Sequence, residues 1–110
     1  MMKVAIATEG GVVATHFGRC PQYTLATIED GVVTNTEIID NPGHEPGFLP
    51  RYLAKRDVDV IISGGMGVRA QKLFDDAGID YVVGVDCSVD ECLRDYAAGT
   101  LNPGDDLCEH

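Results

Sequence analysis

Positive charge is scarce in this chain. Of 110 residues only eight are lysine or arginine, against 18 aspartates and glutamates, for a formal net charge of -10. The shortage is local: residues 1–74 carry eight acids and seven bases, whereas residues 75–110 carry ten acids and Arg94 alone. Nucleic-acid binding depends on neutralising phosphates, so DNA and RNA are not expected partners. The acidic third reads as a solvated face that favours solubility. Long apolar runs are missing as well. No stretch approaches the roughly 20 residues that span a bilayer. The start, Met1 to Gly11, lacks the charged and then apolar pattern of a secretory leader. No membrane partner is expected, and the expected compartment is the cytoplasm. The four cysteines, Cys20, Cys87, Cys92 and Cys108, form no CxxC pair. That removes a zinc ribbon and a thioredoxin-type dithiol. In the cytoplasm they are expected as free thiols.

What is present is ordinary globular material, 45% apolar and 24% charged, in one domain. The domain is expected over residues 1–101, with 102–110 as a flexible acidic tail. Lys3 to Thr8 is a short apolar run and reads as a buried strand. Tyr23 to Ile28 and Val32 to Ile39 flank Glu29-Asp30-Gly31, and the Asp-Gly step signals a hairpin. Asp40 to Gly47 reads as a loop. Phe48 to Arg56 reads as a helix, which Pro50 permits only within the first turn. Val58 to Ser63 and Ile79 to Val85 read as two more buried strands. Val68 to Ala77 is a helix ended by Gly78. Ser88-Val89-Asp90-Glu91 is a capping box that opens a helix to about Ala98, closed by Gly99.

This order predicts an α/β fold, with a hairpin and βα units forming a mixed sheet covered by helices. Strand one and the strands after Asp57 and Gly78 should run parallel through right-handed crossovers. If strand one points up, the loops at 9–21, 40–47 and 64–67, and the turn at Val85-Asp86-Cys87, all gather at the top. Ligands of open α/β sheets bind at that edge.

His16 and Cys20 lie four residues apart in His16-Phe17-Gly18-Arg19-Cys20. Imidazole and thiolate are ligands for iron, copper and zinc, and Arg19 can pair with an anion. His44 belongs to a loop delivered to the same edge. His16, Cys20 and His44 are therefore the candidate metal ligands. The turn Gly64-Gly65-Met66-Gly67 follows a strand and opens a helix, whose free N–H groups suit an anion. Gly64, Gly65, Met66, Gly67, Arg19 and Arg69 are the candidate cofactor contacts, with Lys72 nearby. No Gly-Lys-Ser/Thr follows the turn and it is not GxGxxG, so nucleotide fingerprints are excluded. Cys87 and Cys92 fall at the positions flanking a Ser88 cap where a hydrophobic staple forms. Each candidate has a plain structural counterpart: a tight turn for the glycines, a small apolar filler for Cys20, a backbone hydrogen bond for His16.

The stretches VAIATEGGVVATHFGRCPQY and DVDVIISGGMGVRAQKLFDDAGIDYVVGV, with the helix ending DYAAGTL, resemble the dinitrogenase iron-molybdenum cofactor biosynthesis family. That family groups NifX and NafY with the C-terminal domain of NifB. The resemblance spans residue 3 to about residue 101. It implies a ribonuclease H-like three-layer fold, with a five-stranded sheet in the order 3-2-1-4-5 and strand 2 antiparallel. It also implies binding or carriage of an iron-sulfur or iron-molybdenum cluster held by few protein ligands. His16 matches the histidine of the family's HFG step. Partners implied are the anionic cluster and a protein that donates or accepts it.

An enzyme is the weaker expectation. A two-metal nuclease needs several carboxylates at one site, yet Val4 to Thr8 carries none and only Glu9 is close. A Cys-His hydrolase from Cys20 and His16 or His44 lacks an identifiable oxyanion or base-orienting partner. A non-catalytic interaction or regulatory module, docking through the acidic face, is the alternative.

Overall fold

The computed structural model describes residues 1–41 and 48–101. Strand β1 (Met2–Glu9) is the middle of a mixed sheet. Its residues Val4 to Thr8 are buried, with Ala5 and Ala7 in one apolar cluster and Val4 and Ile6 in another. A strand covered on both faces needs this continuous apolar run, because alternate side chains serve opposite cores.

Strand β2 (Val12–Val13) folds straight back onto β1, pairing Thr8 with Val13 and Glu9 with Val12. Gly10 and Gly11 make that reversal possible with φ of 61° and 83°, values that a side chain disfavours. Strands β3 (Gln22–Glu29) and β4 (Val32–Asp40) form the expected hairpin, turning at Asp30 and Gly31, both with positive φ. Strand β3 runs antiparallel to β1. Strands β5 (Val60–Ile62) and β6 (Asp80–Val82) continue the other side in parallel. The order across the sheet is β4-β3-β1-β5-β6, with β2 attached to β1.

The mixed α/β architecture is as expected, but the sheet has six strands and not five. The additional one, β2, lies inside what reads in sequence as a plain loop. Its signal was the Gly-Gly step before two valines, a short hairpin pattern. Strand β6 also departs from expectation. It is shorter than Ile79 to Val85 and half exposed, because it is the sheet's edge and has one strand neighbour.

Helices α1 (Phe48–Lys55) and α2 (Val68–Ala77) cover one face. Leu49, Leu53 and Phe74 join Ala5, Tyr23, Leu25 and Ile61 there. Helix α3 (Val89–Ala98) covers the other face, where Val89, Cys92 and Leu93 meet Ile6, Ala26 and Ile62. Pro50 falls in the first turn of α1 and is buried. Gly78 and Gly99 close α2 and α3 in the left-handed conformation, as C-terminal glycines do. The Ser88 hydroxyl accepts a hydrogen bond from the Glu91 N–H at 3.1 Å, the Ser88 half of the capping box expected of that segment. Among the described residues no helix is long and apolar enough to cross a membrane.

Candidate functional site

The segment after β2 is held as a shaped loop by long-range contacts. The Ala14 N–H donates to the Ala7 carbonyl, and the Ala14 carbonyl accepts from the Gly64 N–H at 2.8 Å. Phe17 turns its ring into the core, edge-on to Phe74 at 5.2 Å and tilted against Tyr23 at 5.9 Å. Its backbone N–H donates to the Gly65 carbonyl. The Asn41 side chain, at the end of β4, donates to the Gly18 and Cys20 carbonyls at 3.2 and 2.8 Å. Gly18 takes a φ of 90°, which lets the chain reverse between the Phe17 anchor and Cys20.

The consequence is that His16 and Cys20 share one cleft. It has a volume of about 270 Å³ and is lined by Glu9, Ala14, Thr15, His16, Arg19 and Cys20. His16 and Arg19 are exposed, whereas Cys20 is only 3% exposed and forms part of the apolar cluster beneath α1 and α2. Burying an aliphatic-sized group here favours the neutral thiol. Burial accordingly pushes the Cys20 thiol above its ordinary pKa, while the Tyr23 hydroxyl and the backbone at Thr8, Cys20 and Gly18 pull it back down in part. Tyr23 is wholly buried, and its hydroxyl makes no aligned hydrogen bond. Burial first, and then the charge and hydrogen bonding of the adjacent Cys20, hold that hydroxyl protonated well above the usual tyrosine range. Glu9, Tyr23 and Asn41 are the site's residues that sequence reasoning did not single out. Only Glu9, next to the strand end, carried a local signal.

The glycine turn plays a different part from the one its sequence suggests. The Gly64 N–H is spent on Ala14, and the Gly64 carbonyl accepts from the Gly84 N–H at 2.8 Å. The Gly65 carbonyl accepts from both Phe17 N–H and the Ser63 hydroxyl. Met66 is fully buried in the apolar cluster. Gly64 therefore offers no N–H to an anion, and the Met66 side chain is a core residue and not a surface ligand. The turn latches the His16 loop to β5 and β6, and none of Gly64, Gly65, Met66 and Gly67 lines the cleft. Gly67 caps α2 without a side chain, and Arg69 and Lys72 are exposed on that helix.

Cys87 and Cys92 pack in the opposite core, beside α3. Burial, then the neighbouring Cys87, pushes the Cys92 thiol up to about 12. Cys20, Cys87 and Cys92 are all free thiols. The staple explanation for Cys87 and Cys92 thus accounts for their packing. His44, Cys108 and His110 lie outside the described residues. Among the described residues no three His, Cys, Asp or Glu side chains converge to hold a metal ion. A larger concavity of about 700 Å³ lies at the other end of the sheet, by Asp30 and Gly31. It contains neither histidine nor cysteine and is separate from the loop cluster.

Comparison with known proteins follows the whole chain and not the loop alone. The model of the family described as dinitrogenase iron-molybdenum cofactor matches residues 1–99. An uncharacterised protein of Methanocaldococcus jannaschii, MJ0580, is 33% identical over 106 residues, covering 92% of this chain and 90% of that protein. The crystal structure of PH0822 is 30% identical, covers 96% of this chain and 97% of its own, and superposes with a TM-score of 0.89. The apo form of the orange protein from Desulfovibrio gigas superposes with a TM-score of 0.76. At 23% identity, covering 94% of this chain and 93% of that one, it shows likeness of fold alone.

Proposed function

We propose that this chain, which belongs to the dinitrogenase iron-molybdenum cofactor family, binds and carries an anionic metal cluster or its precursor during metallocofactor assembly. The cargo class is iron-sulfur or iron-molybdenum. The observation that carries the reading is the cleft in which His16, Cys20 and Arg19 meet. Imidazole and thiol are soft-metal donors, and an exposed guanidinium offsets the charge of a sulfide-rich anion. With so few donors, the cargo is one whose metal valences are filled mainly by its own sulfides. His44 is a further ligand in this reading. In this reading Gly67 and Arg69, at the start of α2, supply a second anion contact, with Gly65 supporting the loop through its carbonyl.

The same reading takes the sheet with its two helical layers as a ribonuclease H-like fold used for carriage without catalysis. It places the protein in the cytoplasm and pairs it with a protein that gives or receives the cluster. A carrier needs a ligand that can let go. An exposed His16 meets that need better than a closed cage would, because incoming donors could reach the metal and displace the imidazole from it.

Anaerobic reconstitution with iron, sulfide and molybdate tests the proposal. Wild-type protein should retain iron through gel filtration, and His16→Ala should retain much less. No metal retained by wild-type protein sinks it.

A further inference from the structure

Tyr23 places a polar group in an apolar core, where the Cys20 thiol and the Gly18 backbone come near its hydroxyl without an aligned hydrogen bond. Its side chain is wholly buried between Phe17 and the apolar cluster, and among the described side chains its hydroxyl is the buried polar atom left without a hydrogen bond. A buried hydroxyl without a partner is costly, and phenylalanine would fill the same space without that cost. The group beside it is the Cys20 sulfur, which lines the cleft. The backbone at Thr8, Gly18 and Cys20 also reaches that sulfur. Donors are thus gathered around one sulfur in an otherwise apolar setting.

A neutral thiol is a weak acceptor and uses little of this. A thiolate bound to metal is a strong one, and hydrogen bonds to ligating atoms tune how firmly they hold. We propose that Tyr23 is a positioning residue for Cys20, donating its hydroxyl hydrogen bond to the Cys20 sulfur when that sulfur is bound to metal as thiolate. In that step the S–H bond breaks, its proton leaves to water, and the sulfur-metal bond forms without change of oxidation state. The inference rests on the reading of Cys20 as a ligand. It adds that the hydroxyl serves the loaded site and not the fold.

Cobalt(II) is the probe, because thiolate-to-cobalt charge transfer reports on the sulfur directly. Wild-type protein with cobalt(II) should show this band, and Cys20→Ala should lose it. Tyr23→Phe should keep the band at the same stoichiometry but move it to lower energy, because the sulfur lone pair loses a stabilising hydrogen bond. Without metal, Tyr23→Phe should melt at the same temperature as wild type or higher. An unmoved band in Tyr23→Phe overturns the role of Tyr23 and leaves Cys20 a ligand. A lower melting temperature also overturns it, because the hydroxyl is then structural. No cobalt-sulfur band in wild type overturns the reading of Cys20 and this inference with it.

Discussion

The Phe17 backbone N–H donates to the Gly65 carbonyl at 2.9 Å. That bond couples the loop bearing His16 and Cys20 to the glycine turn at the end of β5. It joins the two motifs physically although the glycine turn does not line the cleft.

Phe17 should matter more for the site's shape than for its chemistry. Its ring contacts Phe74 and Tyr23, so Phe17→Ala removes packing on both. Partial exposure keeps the cost near the lower end for such truncations, about 3 kcal/mol. Urea unfolding measures it, and iron retention should fall in the same variant, because the loop loses its anchor.

His16 is exposed and should be nearly neutral for folding. His16→Ala is expected to change stability by less than about 0.5 kcal/mol while reducing metal retention. Thermal melts and metal analysis on the same preparation separate the two effects. Loss of both together would mean that the imidazole holds the loop and not a ligand.

The Ser88 cap is local and should behave so. Ser88→Ala removes the acceptor of the Glu91 N–H and should cost about 1 kcal/mol. Metal retention should stay near the wild-type level, because the Ser88 hydroxyl does not line the cleft and the backbone bonds that tie this segment to Gly11 and Val13 do not use its side chain.

Alkaline stability should bear the mark of Cys92. Its folded pKa is pushed up from 9.0 to about 12 by burial and then by Cys87. The unfolded chain therefore loses this proton first as pH rises. The contribution is fully present below pH 9.0 and is lost on the way to about 12. The slope from this one group is at most about 1.4 kcal/mol per pH unit. Urea titrations between pH 8 and pH 10 should show a shallower decline in Cys92→Ala than in wild type. Equal slopes would show that the thiol is not buried in solution.

Features that close within a few residues were legible before any fold was known. The Asp30-Gly31 turn, the Ser88 cap and the left-handed glycines at Gly78 and Gly99 depend on local dihedral preference and on hydrogen bonds to near neighbours. The apolar runs likewise identified β1, β5 and the helices, because burial on two faces or on one leaves a readable period. The surroundings of the motifs came from long-range packing. Cys20 became a buried thiol beside an unpartnered Tyr23 hydroxyl, and Gly64 spent its N–H on Ala14. Those outcomes depend on which strand ends meet across the sheet, and no local preference of Cys20 or Gly64 encodes the distant partner that settles its chemistry.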